Sequence, residues 1–113
     1  MDATIYHNPK CSTSRKALQA LRDAGIETTV VKYLDEPYTR DQLVQLFTDA
    51  GLTPSQAVRK REALYKELGL DSASDDEILD AMVAHPILVE RPIVVTAKGT
   101  RIPRPFEKLD EIL

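Results

Sequence analysis

Ala3-Thr4-Ile5-Tyr6-His7-Asn8-Pro9-Lys10-Cys11-Ser12-Thr13-Ser14-Arg15 is the stretch on which the fold turns. Its first four residues are mostly β-branched or aromatic, as a strand requires, and Asn8-Pro9 ends that strand. From Ser12 onward, Ala17, Leu18, Leu21 and Ala24 recur at three- and four-residue spacing, which predicts a helix stopped by Gly25. Thr28 to Val31 is β-branched throughout and predicts a second strand. Together these make a βαβ unit with a buried parallel pair. Cys11, the sole cysteine, stands where the loop becomes the helix.

Beyond this unit the pattern turns helical. Thr39 with Gln42 forms a capping box ahead of Leu43, Val44, Leu46, Phe47 and Ala50, with Gly51 as the stop. Thr53-Pro54 opens a short helical segment to about Arg59, and Glu62 to Leu68 continues in helical spacing up to Gly69. Ser74 with Glu77 opens another helix that must end near His85, because Pro86 disfavours helical backbone before it.

Ile93-Val94-Val95-Thr96 is a buried-strand signature, and Ala97-Lys98-Gly99-Thr100 is a turn into a short strand at Arg101-Ile102. A last amphipathic helix carries Phe106, Leu109, Ile112 and Leu113. The expected fold is therefore α/β and thioredoxin-like, a small mixed sheet flanked by helices. A helical insertion at about 39–85 separates the βαβ half from the half made of a hairpin and a closing helix. One domain, residues 1–113, is expected from this length and its 42% hydrophobic content.

The net charge of −3 argues against nonspecific nucleic-acid or anionic-membrane binding. No apolar run approaches membrane-spanning length, and Met1-Asp2-Ala3-Thr4 lacks the features of a signal peptide, so a soluble, cytoplasmic protein is expected. One cysteine makes no internal disulfide. Any redox partner thiol must come from another molecule.

A helix start offers unpaired N–H groups and partial positive charge, which favour thiolate over thiol and can hold an oxyanion beside it. Free cysteine is often a small buried hydrophobe, but Lys10, Ser12, Thr13, Ser14 and Arg15 make this surrounding polar and cationic. His7 can support a thiolate as imidazolium or through a hydrogen-bond relay with Ser14, and a loop histidine bonded to backbone is the plainer alternative. Ser14 occupies the place of the second cysteine in a Cys-x-x-Cys motif. Its hydroxyl can face the sulfur or satisfy a first-turn backbone group.

Arginine suits a tetrahedral oxyanion, because its planar fork donates to two oxygens and stays charged. Among eight arginines, position favours Arg91, at the entry to the most apolar strand, and Arg104, held between Pro103 and Pro105 with little entropy left to lose. Arg91-Pro92 is also a place where a cis peptide bond is realistic.

With Tyr6 to Arg15, the block His85-Pro86-Ile87-Leu88-Val89-Glu90-Arg91-Pro92-Ile93-Val94-Val95-Thr96, then Gly99-Thr100-Arg101 and Arg104-Pro105, the chain resembles the glutaredoxin-dependent arsenate reductases. Residues 62–68 are closer to the chromosomal branch of that family. The resemblance implies that Cys11 attacks arsenate to form a covalent thio-arsenate, that glutathione then adds as co-substrate, and that a glutaredoxin resolves the adduct with release of arsenite. No bound cofactor or metal is implied. The resemblance carries oxyanion binding onto Arg59, Arg91 and Arg104, and lowering of the cysteine pKa onto His7 and Ser14.

Two other readings compete. Spx-type redox regulators, which bind RNA polymerase, share the fold but carry a Cys-x-x-Cys and lack the counterpart of Arg104. The remaining reading is a glutathione-dependent thiol protein acting on another small electrophile. A monomer is expected, since no long apolar stripe is left over once the helices pack.

Overall fold

The β-branched and aromatic run at the start of the chain forms strand β1, Asp2–His7, in which alternate residues Ala3, Ile5 and His7 are buried. A computed structural model describes residues 1–113, which divide into two units, Met1–Glu36 with Arg91–Leu113, and Pro37–Glu90.

In the first unit, helix α1 (Ser12–Asp23) follows β1, and strand β2 (Glu27–Lys32) pairs parallel to it. Gly25, at φ +72°, ends α1, with N–H bonds from Gly25 to the Arg22 carbonyl and from Ile26 to the Leu21 carbonyl. These are the paired bonds of a Schellman stop. Strands Ile93–Thr96 and Gly99–Arg101 form an antiparallel hairpin whose first strand pairs antiparallel with β1. The strand order is β2, β1, the Ile93 strand, then the Gly99 strand, a mixed sheet of the expected thioredoxin-like kind. Ala3 and Ile5 pack with Ala17, Leu21, Val94 and Leu109 in one cluster. Each fully buried Leu or Ile there contributes about 1.5–3 kcal/mol by leaving water.

Three details differ from the sequence expectation. The parallel pair is not buried on both members: β2 is an edge strand of half-buried and exposed residues. Strand order is set by long-range pairing, which local β-propensity does not encode. The hairpin turn is only Ala97-Lys98, because Thr96 pairs with Gly99 and the Thr96 hydroxyl accepts the Lys98 N–H at 3.1 Å. The second strand therefore ends at Arg101. The closing helix is a 3₁₀ helix, Phe106–Glu111. Phe106, Leu109 and Ile112 are spaced by three, and a three-residue turn aligns them on one line.

The second unit holds α2 (Arg40–Ala50), α3 (Pro54–Ala57), α4 (Ala63–Glu67) and α5 (Asp75–Ala84), with 3₁₀ turns at Leu70–Ser72 and Pro86–Leu88. All three Ser/Thr-to-Gln/Glu capping boxes, at Thr39, Thr53 and Ser74, are formed reciprocally. The third, at Thr53 with Gln56, has the same spacing as the two read from sequence. Helix α5 packs against α2 and α3. The segment expected to be helical to Arg59 stops at Ala57, because Val58 turns extended and bridges to Val89. No helix is long and apolar enough to cross a membrane. In chain order the hairpin strands are β3 (Ile93–Thr96) and β4 (Gly99–Arg101).

Candidate active site

The period of β1 delivers His7 to the same face as Ala3 and Ile5, and the stripe of α1 begins at Ser14, ahead of Ala17 and Leu21. The last inward residue of the strand thus meets the first inward residue of the helix. His7 Nδ1 and Ser14 Oγ lie 2.6 Å apart, both buried. Between them run Asn8, Pro9, Lys10 and Cys11.

Cys11 is the N-cap of α1 in extended conformation, and its carbonyl accepts the Arg15 N–H at 3.0 Å, the first helical bond. The residue is only 8% exposed. Burial pushes its thiol pKa up, but the Ser14 N–H, the Arg91 charge, the Thr13 N–H and the Arg104 charge oppose this, and the pKa ends below its ordinary value. The balance at the sulfur is accordingly shifted toward the thiolate, the nucleophilic form.

Arg104 reaches the sulfur, with Nη2 at 3.7 Å from Sγ. One edge of its guanidinium is engaged. Nε and Nη2 donate to the Arg91 carbonyl at 3.0 and 2.8 Å. The backbone of one candidate arginine therefore sets the posture of the other, a link that sequence spacing does not reveal. Arg91-Pro92, whose isomer the sequence left open, is cis, and so is Arg104-Pro105.

Of the alternatives open for the thiol's neighbours, the His7–Ser14 hydrogen bond is present. Burial first, then the charges of Lys32, Arg22 and Arg15, lower the His7 pKa, which disfavours the imidazolium. Ser14 presents its backbone N–H to the sulfur, while its hydroxyl bonds His7 Nδ1 and accepts the Asn8 N–H at 3.1 Å. Asn8 is the residue that sequence reasoning passed over as turn punctuation. Its carbonyl accepts the Cys11 N–H, and its Oδ1 accepts the Lys10 N–H, both at 3.0 Å. The Asn-Pro dipeptide was the available signal, since Asx side chains bond the backbone two residues on.

Arg59 lies in the second unit, directly after the Val58 bridge, with its N–H on the Leu88 carbonyl at 2.7 Å. Its guanidinium pairs with Glu62 at 3.0 Å and with Glu90 at 3.8 Å. Of the three consecutive basic residues here, Arg59 is half-buried while Lys60 and Arg61 are exposed. His85, where the sequence placed the end of this helix, caps α5 by donating its N–H to the Ala81 carbonyl at 2.8 Å. No cluster of three or more His, Cys, Asp or Glu side chains is arranged to hold a metal ion.

Comparison with known proteins places this geometry. The chain is 51% identical over 112 residues to an arsenate reductase of Escherichia coli (strain K12), an alignment covering 97% of this chain and 79% of that protein. It is 52% identical over 115 residues to one of Rhizobium meliloti (strain 1021), covering 100% and 82%. The solved arsenate reductase from Vibrio cholerae superposes with a TM-score of 0.94 at 45% identity, covering 100% of this chain and 98% of that one. The ArsC family model matches residues 6–112, from the end of β1 through the closing 3₁₀ helix, and the chain belongs to the ArsC family.

Proposed function

We propose that this protein reduces arsenate to arsenite, with Cys11 as the attacking thiolate. The observation that carries the reading is the convergence on one sulfur of two helix N–H groups and two arginine charges. A tetrahedral oxyanion needs the same donors as the thiolate does. Similarity to named arsenate reductases at about half identity supports arsenate as the substrate.

In this scheme the Cys11 sulfur bonds to arsenic(V) and one arsenate oxygen leaves as water. Glutathione adds to the arsenic with loss of a second water. A glutaredoxin thiol then attacks the glutathione sulfur, so that the electron pair of the broken As–S bond reduces arsenic to the trivalent state. Water cleaves the Cys11–As bond to release arsenite and the free thiol. Over the cycle, arsenate and two thiols give arsenite, one disulfide and water, so both reducing electrons come from thiol sulfur. Cys11, the one thiol of this chain, is returned at the end of the cycle, so both oxidised thiols, one of glutathione and one of glutaredoxin, come from outside it.

Arg91 and Arg104 stabilise the charge on the oxyanion as the sulfur attacks. Arg59 is assigned the third arginine role through its matching block. His7 and Ser14 act by fixing the loop and the first turn that aim N–H groups at the sulfur. The reading treats residues 1–113 as one functional domain, monomeric and cytoplasmic, with the helical segment as its insertion.

The test is arsenite production by purified protein supplied with arsenate, glutathione, glutaredoxin and an NADPH-linked recycling system. Turnover that needs every component supports the assignment. A folded protein with an alkylatable thiol and no arsenite formation overturns it.

A further inference from the structure

The donors of the loop between β1 and α1 account for one another in full. Asn8 N–H goes to Ser14 Oγ, Pro9 has none, Lys10 N–H goes to Asn8 Oδ1, and Cys11 N–H goes to the Asn8 carbonyl. Three of the bonds shaping this loop pass through Asn8: its N–H, its carbonyl and its side chain. None goes to the N–H groups of Thr13 and Ser14, which are thereby left for the sulfur. Backbone polar groups in a partly buried loop must find partners, and here a single residue supplies the acceptors for both donors ahead of the helix.

We infer that Asn8 is a positioning residue for the thiolate. Its side chain closes the turn across Pro9, which brings the Asn8 carbonyl onto the Cys11 N–H and sets where Sγ stands against the first turn of α1. Asn8 touches neither the sulfur nor any group the sulfur bonds through its side chain, so its influence is geometric. The inference rests on Cys11 as the reactive group and is tested without arsenate.

The experiment compares wild type, Asn8→Ala and Asn8→Ser, each shown folded by circular dichroism. The readout is the rate of Cys11 alkylation by iodoacetamide as a function of pH. Loss of one hydrogen bond of ordinary strength, fully transmitted, lowers the alkylation rate at neutral pH about fivefold in Asn8→Ala and moves its pH profile upward. Asn8→Ser, whose hydroxyl makes the same turn bond more weakly, recovers part of the rate. A merely structural role would lower thermal stability and leave the pH profile in place.

Arsenate turnover by the same variants separates the two readings. Slowed alkylation with a wild type that forms no arsenite upholds the role of Asn8 and removes the substrate assignment. An unchanged alkylation profile in Asn8→Ala overturns the inference, whatever the turnover.

Discussion

Replacing Arg104 by methionine removes one charge beside the sulfur and the clamp on the Arg91 carbonyl at the same time. Arg104 Nη2 stands 3.7 Å from Sγ. At about 4 Å, two unit charges interact by ~1 kcal/mol in bulk water and by ~4 kcal/mol at an effective dielectric of about 20. Arg104 ranks behind the Ser14 N–H, Arg91 and the Thr13 N–H in lowering the thiol pKa, so the low end applies, ~1–1.4 kcal/mol. That is about a fivefold to tenfold fall in thiolate at a pH below the thiol pKa, and the same fall in alkylation rate. Arg104→Lys keeps the charge and loses the fork. It should recover much of the alkylation rate while arsenate KM stays raised. The assay is iodoacetamide alkylation from acid to alkaline pH, beside arsenite production on the same samples. A folded Arg104→Met that alkylates at the wild-type rate across the profile would refute the electrostatic reasoning.

Two further perturbations probe the scaffold. The unfolded chain protonates His7 at about 6.5, and burial with Lys32, Arg22 and Arg15 depresses the folded value. Between these values the unfolded state binds the extra proton, so stability falls as pH drops through that window. His7→Gln should flatten this acid-side slope in urea denaturation, and an undiminished slope would show that His7 is not the group responsible. Leu109, fully buried in the core of the first unit, should cost about 2–5 kcal/mol as Leu109→Ala, read from the denaturation midpoint. A loss below ~1 kcal/mol would mean that the closing 3₁₀ helix is not part of the cooperative core.

The parts of the fold read correctly from sequence are those that short-range chemistry determines. Gly25 had to end a helix once Ala17, Leu18 and Leu21 set its stripe, and Thr39 and Ser74 could cap helices with only the residue three places on. The edge position of β2 was not legible, because Thr28 to Val31 has the composition of a buried strand and only pairing to β1 alone leaves it half-covered. Phe106, Leu109 and Ile112 fit either helix type, and a three-residue spacing in a segment this short resolves to 3₁₀.

At the site, residue types pointed to the chemistry, while roles depended on contacts across the sequence. Arg104 meets Cys11 and the Arg91 carbonyl only because the sheet brings residues 91 and 104 to the end of β1. A hydrogen bond between His7 and Ser14 was one of the readings the sequence allowed. The lowering of the His7 pKa was not, because its burial and the approach of Lys32 and Arg22 come from the fold. Asn8 was hidden for a different reason: a turn-forming asparagine looks the same in sequence whether or not its turn aims a nucleophile.

The central claim is that the Cys11 sulfur bonds to the arsenic of arsenate. Mass spectrometry of intact protein after incubation with arsenate and glutathione, without glutaredoxin, tests it alongside arsenite yield from the complete system. The account predicts an arsenate-dependent adduct on Cys11, its absence from Cys11→Ser, and loss of arsenite formation in that variant. Arsenite formed at the wild-type rate by Cys11→Ser would contradict it.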